Sequence, residues 1–376
     1  MPYCTSRSHH GRHPQEAPNV EMRNRTFNPD ECPFLKVRGS GWARMRPKAR
    51  EAVIRLAFRY WRNHGFPYYR LSRLEMRQDL CTLLTKDPGS VFDGKDLRTS
   101  NAGLRLANSF QRSMWRTKVN RYFSPMQVFT DDRLLTKAIE RSFTIWPDRF
   151  GASASCIRRM LKTYPGAASV SNYRPMIAKA IISEYCPEGG MVVDFAAGYG
   201  GRLLGAIAAH RDYIGIEPNR AQIKGFLRMT YMISDLGFDL PRLKFLHGTA
   251  ESKLPKLRPT SAQLVFSSPP FFNWEHYSRS SSQSFRRYPK YEIWLDKFLS
   301  PVIVQSYRIL KKGGYLALNV TNGNRLPSPE EVAGIATAAG FRTLPTIHEM
   351  VFPKVPYLHP RHLGPVKREL IMIFRK

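Results

Sequence analysis

Two adjacent prolines, Pro269 and Pro270, stand directly after an apolar run of the sequence. Proline lacks a backbone donor and fixes φ, so the chain must leave regular structure at this point. Ser268 precedes the prolines, and three aromatic residues follow them, namely Phe271, Phe272 and Trp274. A solvated loop would normally avoid such rings. The stretch is therefore either a candidate site or a strand end whose aromatic residues belong to the core.

A second candidate site lies earlier, where an apolar run ends at Asp194 and a glycine turn with Gly198 and Gly200 follows. A glycine turn after the first strand of an α/β sheet presents backbone N–H groups and a helix N-terminus to a ligand. Glu217 ends the next apolar run, 19 residues beyond Gly198. An acidic residue there accepts hydrogen bonds from the ribose hydroxyls of a nucleoside-containing cofactor. A dinucleotide fingerprint would need a third glycine, but this chain has Leu203.

The sequence around Asp194 resembles the cofactor motif of class I S-adenosylmethionine-dependent methyltransferases. The resemblance implies S-adenosyl-L-methionine as the cofactor, with the acidic residue near its amino-acid moiety. Residues 171–182 resemble the segment that precedes the cofactor strand in DNA amino-methyltransferases and covers the methionine end of the cofactor. The cofactor-binding residues that follow from this are Tyr173, Arg174, Asp194, Ala196, Gly198, Gly200, Glu217, Pro218 and Glu251.

The stretch from Ser268 to Phe271 resembles the (Asp/Asn/Ser)-Pro-Pro-(Tyr/Phe/Trp) motif of methyltransferases that modify exocyclic amines of bases. Such an amine is a poor nucleophile because its lone pair is delocalised into the ring. The resemblance implies that the Ser268 hydroxyl and the Pro269 carbonyl accept its N–H bonds and direct the lone pair toward the methyl group. Phe271 would stack on a base extruded from the duplex. Ser268, Pro269, Pro270 and Phe271 are thus the expected catalytic residues.

Two positions depart from the family pattern. Ala196 stands two residues before the first glycine, where the family usually has an aromatic residue, so that face of the cofactor pocket must be supplied differently. Serine replaces aspartate at position 268, which in the family leans toward cytosine N4 without excluding adenine N6. Together, the motifs most resemble those of phage and bacterial DNA methylases, and the resemblance extends from about Tyr173 to the C-terminus.

The pattern beyond about residue 165 predicts the elements that position these motifs. Short apolar runs alternate with helical patterns, and the predicted strands read MVVDF, DYIGI, LKFLH, AQLVF and YLALNV. Such alternation predicts an α/β fold with a Rossmann-like, doubly wound, mostly parallel sheet. The last two strands are expected to add an antiparallel edge. Both motifs follow strands, at the carboxyl edge where open α/β sheets bind ligands.

Helical patterns dominate before residue 165, near residues 42–62, 71–86, 101–119 and 131–143. In the helix expected to open at Pro47, the side predicted to pack carries Val53, Leu56, Tyr60 and Trp61. Another side carries Arg55, Arg59 and Arg62. We predict a disordered tail over residues 1–40, a basic α-helical domain over 41–165 and a methyltransferase domain over 166–376.

The charge of the chain indicates a polyanionic partner. Fifty-nine Lys and Arg against 29 Asp and Glu give a net charge of +30, which favours nucleic acid, with double-stranded DNA as the leading expectation. The methyltransferase region leaves no room for a separate target-reading domain, so we expect recognition in the N-terminal part and in the loop of residues 277–289. The residues assigned to nucleic-acid binding are Arg55, Arg59, Arg62, Phe272, Trp274, Arg286 and Arg287.

Other features of the sequence indicate the cellular compartment and the class of protein. The five cysteines lie far apart without a C-x-x-C pair, which fits a reducing cytoplasm. The resemblance to phage and bacterial DNA methylases implies that this is the cytoplasm of a bacterial or phage-infected cell. The sequence has no apolar stretch of membrane-spanning length, and we assign no metal site. The leading hypothesis is a DNA methyltransferase of adenine N6 or cytosine N4. An RNA methyltransferase with the same site, and a nucleic-acid-binding protein that has lost catalysis, are the alternatives.

Overall fold

The computed structural model describes residues 36–146, 148–164, 166–321, 327–351 and 368–376, so most of the predicted tail lies outside the described residues. The helices are α1 (Gly39–Arg44), α2 (Pro47–His64), α3 (Arg73–Thr85), α4 (Leu104–Ser109), α5 (Pro125–Thr130), α6 (Asp132–Ile145), α7 (Ala154–Thr163), α8 (Pro175–Tyr185), α9 (Gly201–Ala208), α10 (Arg220–Asp235), α11 (Ala250–Lys253), α12 (Ser284–Arg287), α13 (Tyr291–Trp294), α14 (Ser300–Ile309) and α15 (Pro329–Ala338). The strands are β1 (Phe92–Asp93), β2 (Asp96–Leu97), β3 (Lys118–Val119), β4 (Met191–Asp194), β5 (Asp212–Glu217), β6 (Leu243–His247), β7 (Ala262–Ser267), β8 (Glu275–His276), β9 (Leu310–Thr321), β10 (Arg342–Val351) and β11 (Arg368–Arg375).

Within the described residues, nine strands form one sheet in the order β1-β2-β10-β11-β9-β7-β4-β5-β6. The strands from β9 through β7, β4 and β5 to β6 pair in parallel. Strand β11 lies between β9 and β10 and is antiparallel to both. The predicted Rossmann-like, doubly wound sheet is thereby confirmed, and its ligand-binding edge is the carboxyl end of the parallel strands.

Two details of the sheet differ from the prediction. We expected the last two strands to form the edge of the sheet. Instead, β2 pairs in parallel with β10, and β1 pairs with β2 on the outer side. Strands of two residues are too short for alternation to reveal. The strand predicted as YLALNV begins earlier than expected, because Leu310 directly after α14 adopts an extended backbone (ψ 142°) and begins β9.

Helices cover both faces of the sheet with apolar side chains. One face packs against α8, α9 and α10, and the other packs against α14 and α15. Helix α8 is buried on most sides because Leu83 of α3 and Leu106 of α4 belong to the same core. Buried Lys179 of α8 donates to carbonyls at the C-terminal end of α3, at 2.7 to 3.1 Å. The N-terminal part of the chain is thus packed directly on the sheet.

Helices α2, α6 and α7 enclose a further apolar core. Helix α2 begins at Pro47, as predicted, and buries Ala57 and Trp61. The expected packing of Leu56 was wrong, since this side chain is 44% exposed. The buried stripe runs through positions four residues apart and leaves Leu56 beside it. The domain boundary at residue 165 stays a prediction. Among the described helices, none is long and apolar enough to cross a bilayer.

Candidate active site

The two predicted motifs meet in one cavity at the carboxyl edge of the sheet. Its volume is about 1030 Å³. Of the residues predicted from the sequence, those that line it are Tyr173, Arg174, Ala196, Gly198, Glu217, Pro218, Glu251, Ser268, Pro270, Phe271, Phe272 and Trp274. The tertiary structure therefore brings together residues that lie up to about a hundred positions apart in the chain. The predicted residues outside the cavity wall are Arg55, Arg59, Arg62, Asp194, Gly200, Pro269, Arg286 and Arg287.

The glycine turn after β4 forms the floor of the cavity. Gly198 has a φ of 58°, in the left-handed region that favours glycine, and an added Cβ would meet only the Ala196 carbonyl oxygen, at 3.7 Å. At Gly201, a Cβ atom would stand 1.9 Å from the Tyr173 carbonyl oxygen. Only glycine therefore lets the segment before α8 lie so close to the start of α9. The Asn172 side chain stabilises this close approach. Its amide oxygen accepts from Gly201 N at 3.0 Å, and its amide nitrogen donates to the Tyr199 carbonyl at 2.9 Å.

Glu217 at the end of β5 stands beside the turn. Its carboxylate accepts from the backbone N–H groups of Gly198 at 3.0 Å and Asn219 at 2.8 Å. The Gln222 amide, in the orientation that satisfies its hydrogen bonds, donates to both carboxylate oxygens at 2.6 and 2.8 Å. Burial raises the pKa of Glu217 to about 8, although the two backbone donors act in the opposite direction. A neutral ligand that donates two hydroxyls would satisfy this carboxylate without adding charge.

Asp194 is a buried residue that supports the glycine turn from the protein interior. It is fully buried, and its oxygens accept from Arg202 Nε at 2.7 Å, Tyr213 OH at 2.8 Å and Ser267 Oγ at 2.8 Å. These donors occupy the carboxylate, and Asp194 is not among the residues that line the cavity, so its assignment to cofactor binding stays a prediction. In this structure Asp194 positions the turn. Breaking such a buried ion pair typically costs about 3–5 kcal/mol, because one charge is left without a partner.

Arg202 joins the two motifs. Besides pairing with Asp194, its guanidinium donates to the Ala196 carbonyl at 2.5 Å and to the Ser268 hydroxyl at 2.9 Å. It also lies over the ring of Tyr173, with 5.1 Å from Cζ to the ring centre. Arginine has no acceptor, so the Ser268 oxygen accepts in this bond and keeps one lone pair and its proton for a ligand. The sequence analysis missed Arg202, and only its place directly after the glycine turn hinted at a role.

The loop after β7 takes a strained turn. Phe272 has a φ of 37°, which is rare for a bulky side chain, and its N–H donates to the Pro270 carbonyl at 2.9 Å. This turn buries Phe272 edge-on against Trp294, so it supports the wall from behind. Phe271 remains in the cavity wall, whereas Pro269 is buried beneath the loop. All three aromatic residues border the cavity, and Phe272 also belongs to the core, which combines the two interpretations that the sequence left open.

Glu251 and Arg287, predicted for cofactor and nucleic acid respectively, are partners of each other. Arg287 Nη1 donates to Glu251 Oε1 at 3.1 Å and to Thr249 Oγ1 at 3.2 Å. The loop of residues 277–289 therefore folds back onto the segment after β6. The second oxygen of Glu251 is buried in the cavity wall and has no partner among the described residues. It is available to a ligand.

The N-terminal part supplies the wall opposite the glycine turn. Strand β3 pairs with β8, and Asn120 N donates to the Trp274 carbonyl at 2.8 Å. Thr117 shares a hydrogen bond of 2.7 Å with the Tyr199 hydroxyl, which fixes the same wall to the glycine turn. The segment that follows the Ser-Pro-Pro loop is thus held by residues more than a hundred positions earlier.

The arginines predicted on α2 have different surroundings. Arg62 donates to the Phe129 carbonyl at 2.5 Å, forms an ion pair with Asp132 and lies over the Phe58 ring. Arg55 is exposed and stands 3.7 Å from Glu51, and Arg59 is exposed on the same helix. Arg62 therefore stabilises the packing of α2, while Arg55 and Arg59 face solvent. Arg286 is also exposed and donates to the Arg279 carbonyl at 2.7 Å.

These features fit S-adenosylmethionine. The open space over Gly198 admits a cofactor, Glu217 offers acceptors to a ribose, and the Tyr173 hydroxyl is a buried cavity group without a partner among the described residues. Across the described ranges, no group of three or more His, Cys, Asp or Glu side chains is arranged to hold a metal ion.

Comparison with models of protein families gives no match, and comparison with curated protein sequences gives none either. Solved structures that the comparison matches to this chain include an S-adenosylmethionine-dependent methyltransferase from Methanosarcina mazei, 16% identical over 52% of this chain and 96% of that one, with a TM-score of 0.35. A putative sarcosine dimethylglycine methyltransferase from Galdieria sulphuraria is 14% identical over 53% and 83%, with a TM-score of 0.35. A possible histamine N-methyltransferase from Thermotoga maritima is 20% identical over 54% and 90%, with a TM-score of 0.32. Similarity of this extent leaves the substrate open.

Proposed function

We propose that this chain is an S-adenosylmethionine-dependent methyltransferase that modifies an exocyclic amine of adenine or cytosine in nucleic acid, with DNA as the expected substrate. The observation that carries the proposal is the placement of Ser268, Pro270 and Phe271 in the same cavity wall as Gly198 and Glu217. A site for a nucleoside-containing cofactor and a site for a planar amine would then lie side by side.

The cofactor, when bound, supplies an electrophilic methyl group. Glu217 and Gly198 would hold its ribose end, and Tyr173 and Arg174 its amino-acid end. Ser268 would accept a hydrogen bond from the amine with the lone pair that Arg202 leaves unused, since Arg202 already holds the oxygen at 2.9 Å. A fixed acceptor costs no reorganisation during the reaction, which is how preorganised polar groups lower a barrier.

Phe271 would provide the flat face against which the base lies. Its neighbour Phe272 is 4% exposed and packs within the core, so the loop that carries Phe271 is supported from beneath. Stacking on an aromatic side chain is typically worth about 1–3 kcal/mol per base. Trp274, 40% exposed in the same wall, is the second ring that a nucleotide can reach.

The experiment is a substrate survey with the purified chain and isotopically labelled S-adenosylmethionine. Duplex DNA, single-stranded DNA and total RNA are incubated in parallel, digested to nucleosides and separated by mass spectrometry. The proposal expects labelled N6-methyladenine or N4-methylcytosine in the DNA arms. Label confined to RNA bases would move the substrate to RNA, and label in neither polymer would overturn the proposal.

A further inference from the structure

A cationic wall faces the cavity from the N-terminal part of the chain. Helix α7 buries Ile157 and Leu161 in the N-terminal core, while Arg159 and Lys162 of the same helix line the cavity. Arg174, at the start of α8, lines it as well. Three positive side chains thus border the cavity, which the acidic residues Glu217, Glu251, Glu275 and Glu369 line as well.

Lys162 is the cation whose surroundings point to a ligand. Within the described part of the chain, no carboxylate or carbonyl pairs with its ammonium group, which lies 5.7 Å from the centre of the Trp115 ring. Burial and the nearby guanidinium groups of Arg158, Arg159 and Arg174 lower the pKa of Lys162 to about 8. A partly buried cation among other cations is unfavourable unless an anion joins them.

Two other cations of the same region have hydrogen-bond acceptors within the protein. Arg158 lies 3.9 Å from the Tyr69 ring centre and donates to the Pro67 carbonyl at 2.9 Å. Lys179 donates to three carbonyls at the end of α3. Neither of these residues lines the cavity. Arg159 and Lys162 differ from them because they face the cavity.

The cavity has room for more than a cofactor. Small-molecule sites usually measure about 300–1,000 Å³, and this one, at about 1030 Å³, reaches from Glu217 and Glu251 to the wall of α7. The pairing of β3 with β8 sets Trp274 and Val119 into this wall together. Phe271 and the cations of α7 border the same cavity, so a nucleotide whose base lies at Phe271 would have its phosphate in a space that these cations also line.

We propose that Arg159 and Lys162 form a phosphate-binding subsite of the active-site cavity, which holds a backbone phosphate next to the target nucleotide. The inference rests on the proposed function, because it takes the substrate to be a nucleic acid. A carboxylate of the cofactor is the other source of an anion in this cavity. Arg174 lies in the segment assigned to the methionine end of that cofactor, which leaves the two cations of α7 for the substrate.

The test compares a nucleotide with its nucleoside. Binding of 2′-deoxyadenosine 5′-monophosphate, 2′-deoxycytidine 5′-monophosphate and the two nucleosides is measured by calorimetry on the full chain with S-adenosylhomocysteine bound. The parent chain is expected to bind one nucleotide at least tenfold more tightly than its nucleoside. Lys162→Met and Arg159→Gln should each remove most of that difference, while Lys162→Arg should keep it.

Matched controls lie on α6, where Lys137 and Arg133 are exposed and outside the cavity wall. Lys137→Met and Arg133→Gln remove the same charges and should leave the nucleotide advantage unchanged. Melting temperatures show whether each variant is folded, and Arg159→Gln keeps the proposal testable if Lys162→Met does not fold.

Three results would overturn the subsite. If Lys162→Met and Arg159→Gln behave like their controls, the two cations are only solvated side chains. Weaker S-adenosylhomocysteine binding with an unchanged nucleotide advantage would assign them to the cofactor carboxylate. Equal competition by a polyglutamate peptide would indicate an acidic protein substrate. Because binding is measured without methyl transfer, failure of the subsite and failure of the proposed function give different outcomes.

Discussion

At the scale of single residues, the Ser268 hydroxyl oxygen would accept two hydrogen bonds, one from Arg202 and one from the substrate. Arg202 holds the oxygen at 2.9 Å, and the proposed chemistry needs the remaining lone pair for the substrate amine. Because Arg202 also pairs with Asp194 and the Ala196 carbonyl, the position of the hydroxyl depends on the cofactor turn. The chemistry of one loop is therefore tied to the geometry of the other.

Ser268→Ala should lower the single-turnover rate of methyl transfer by roughly a hundredfold, by analogy with the loss of one preorganised polar group. Affinity for S-adenosylmethionine should stay within about twofold, because the hydrogen bond matters mainly in the transition state. The control is Ser261→Ala, at the other end of β7, whose hydroxyl donates to the Arg258 carbonyl. Transfer at the parent rate in Ser268→Ala would leave the Ser-Pro-Pro loop as a strand end only.

Glu217 should make ligand binding depend on pH. Since burial raises its pKa to about 8, the carboxyl group is largely protonated below that value and accepts ribose hydroxyls fully only above it. The ligand for the test is 5′-methylthioadenosine, which has the ribose without a titrating amino group. Its affinity should rise by about tenfold between pH 7 and pH 9, following the ionised fraction of a group with this pKa. Glu217→Gln should bind weakly at both pH values, and an equal rise in this variant would remove Glu217 from the site.

At the scale of secondary-structure elements, α2 carries arginines with two different tasks. Arg62 is held by the Phe129 carbonyl and Asp132, so its charge is used inside the fold. Arg55 and Arg59 are exposed on the solvent side of the helix. The sequence pattern alone groups these three residues together, and the packing of α2 against α5 and α6 separates them.

The combined variant Arg55→Gln, Arg59→Gln should flatten the salt dependence of nucleic-acid binding by about 0.9 per lost phosphate contact on duplex DNA. Its melting temperature should match that of the parent. Arg62→Gln should instead lower the free energy of unfolding by about 1.5–3 kcal/mol, the range for hydrogen bonds to a charged group. An unchanged salt slope in the double variant would show that this face of α2 is only solvated.

At the scale of the whole molecule, the N-terminal part and the part that carries the parallel strands share structure. Strand β2 joins the sheet at β10, β3 pairs with β8, and α3 and α4 cover α8. The active-site cavity has walls from both parts. Methyl transfer, as proposed, would therefore need the N-terminal residues for the shape of the site as well as for substrate binding.

A fragment of residues 166–376 should fail to fold as a soluble monomer. Removing α3 and α4 takes Leu83 and Leu106 out of the core that α8 shares, and it leaves buried Lys179 without its carbonyl partners at the end of α3. Each large apolar side chain left in water costs about 1.5–3 kcal/mol relative to burial, against a typical domain stability of about 5–15 kcal/mol. Size-exclusion chromatography and circular dichroism measure the outcome. A monomeric fragment with a cooperative thermal transition would show that the shared core is dispensable.

Features that depend on local covalent properties could be predicted from the amino-acid sequence. Glycine at 198 and the two prolines after Ser268 act on their own backbone, and the apolar runs predict strands through their length and order. The sheet, the glycine turn and the position of Glu217 follow from these local patterns. The same reasoning predicted that the two motifs would meet at one edge of the sheet.

The partners of the functional side chains, in contrast, follow only from the tertiary fold. The pairing of Arg202 with Ser268, of Glu251 with Arg287 and of β3 with β8 joins positions that no local pattern relates. The surroundings of Lys162 also follow only from the tertiary fold, which places its ammonium group beside the Trp115 ring and near three guanidinium groups. The physical reason is that hydrogen bonds, ion pairs and burial depend on distances in space, whereas periodicity and turn chemistry depend on neighbours along the chain.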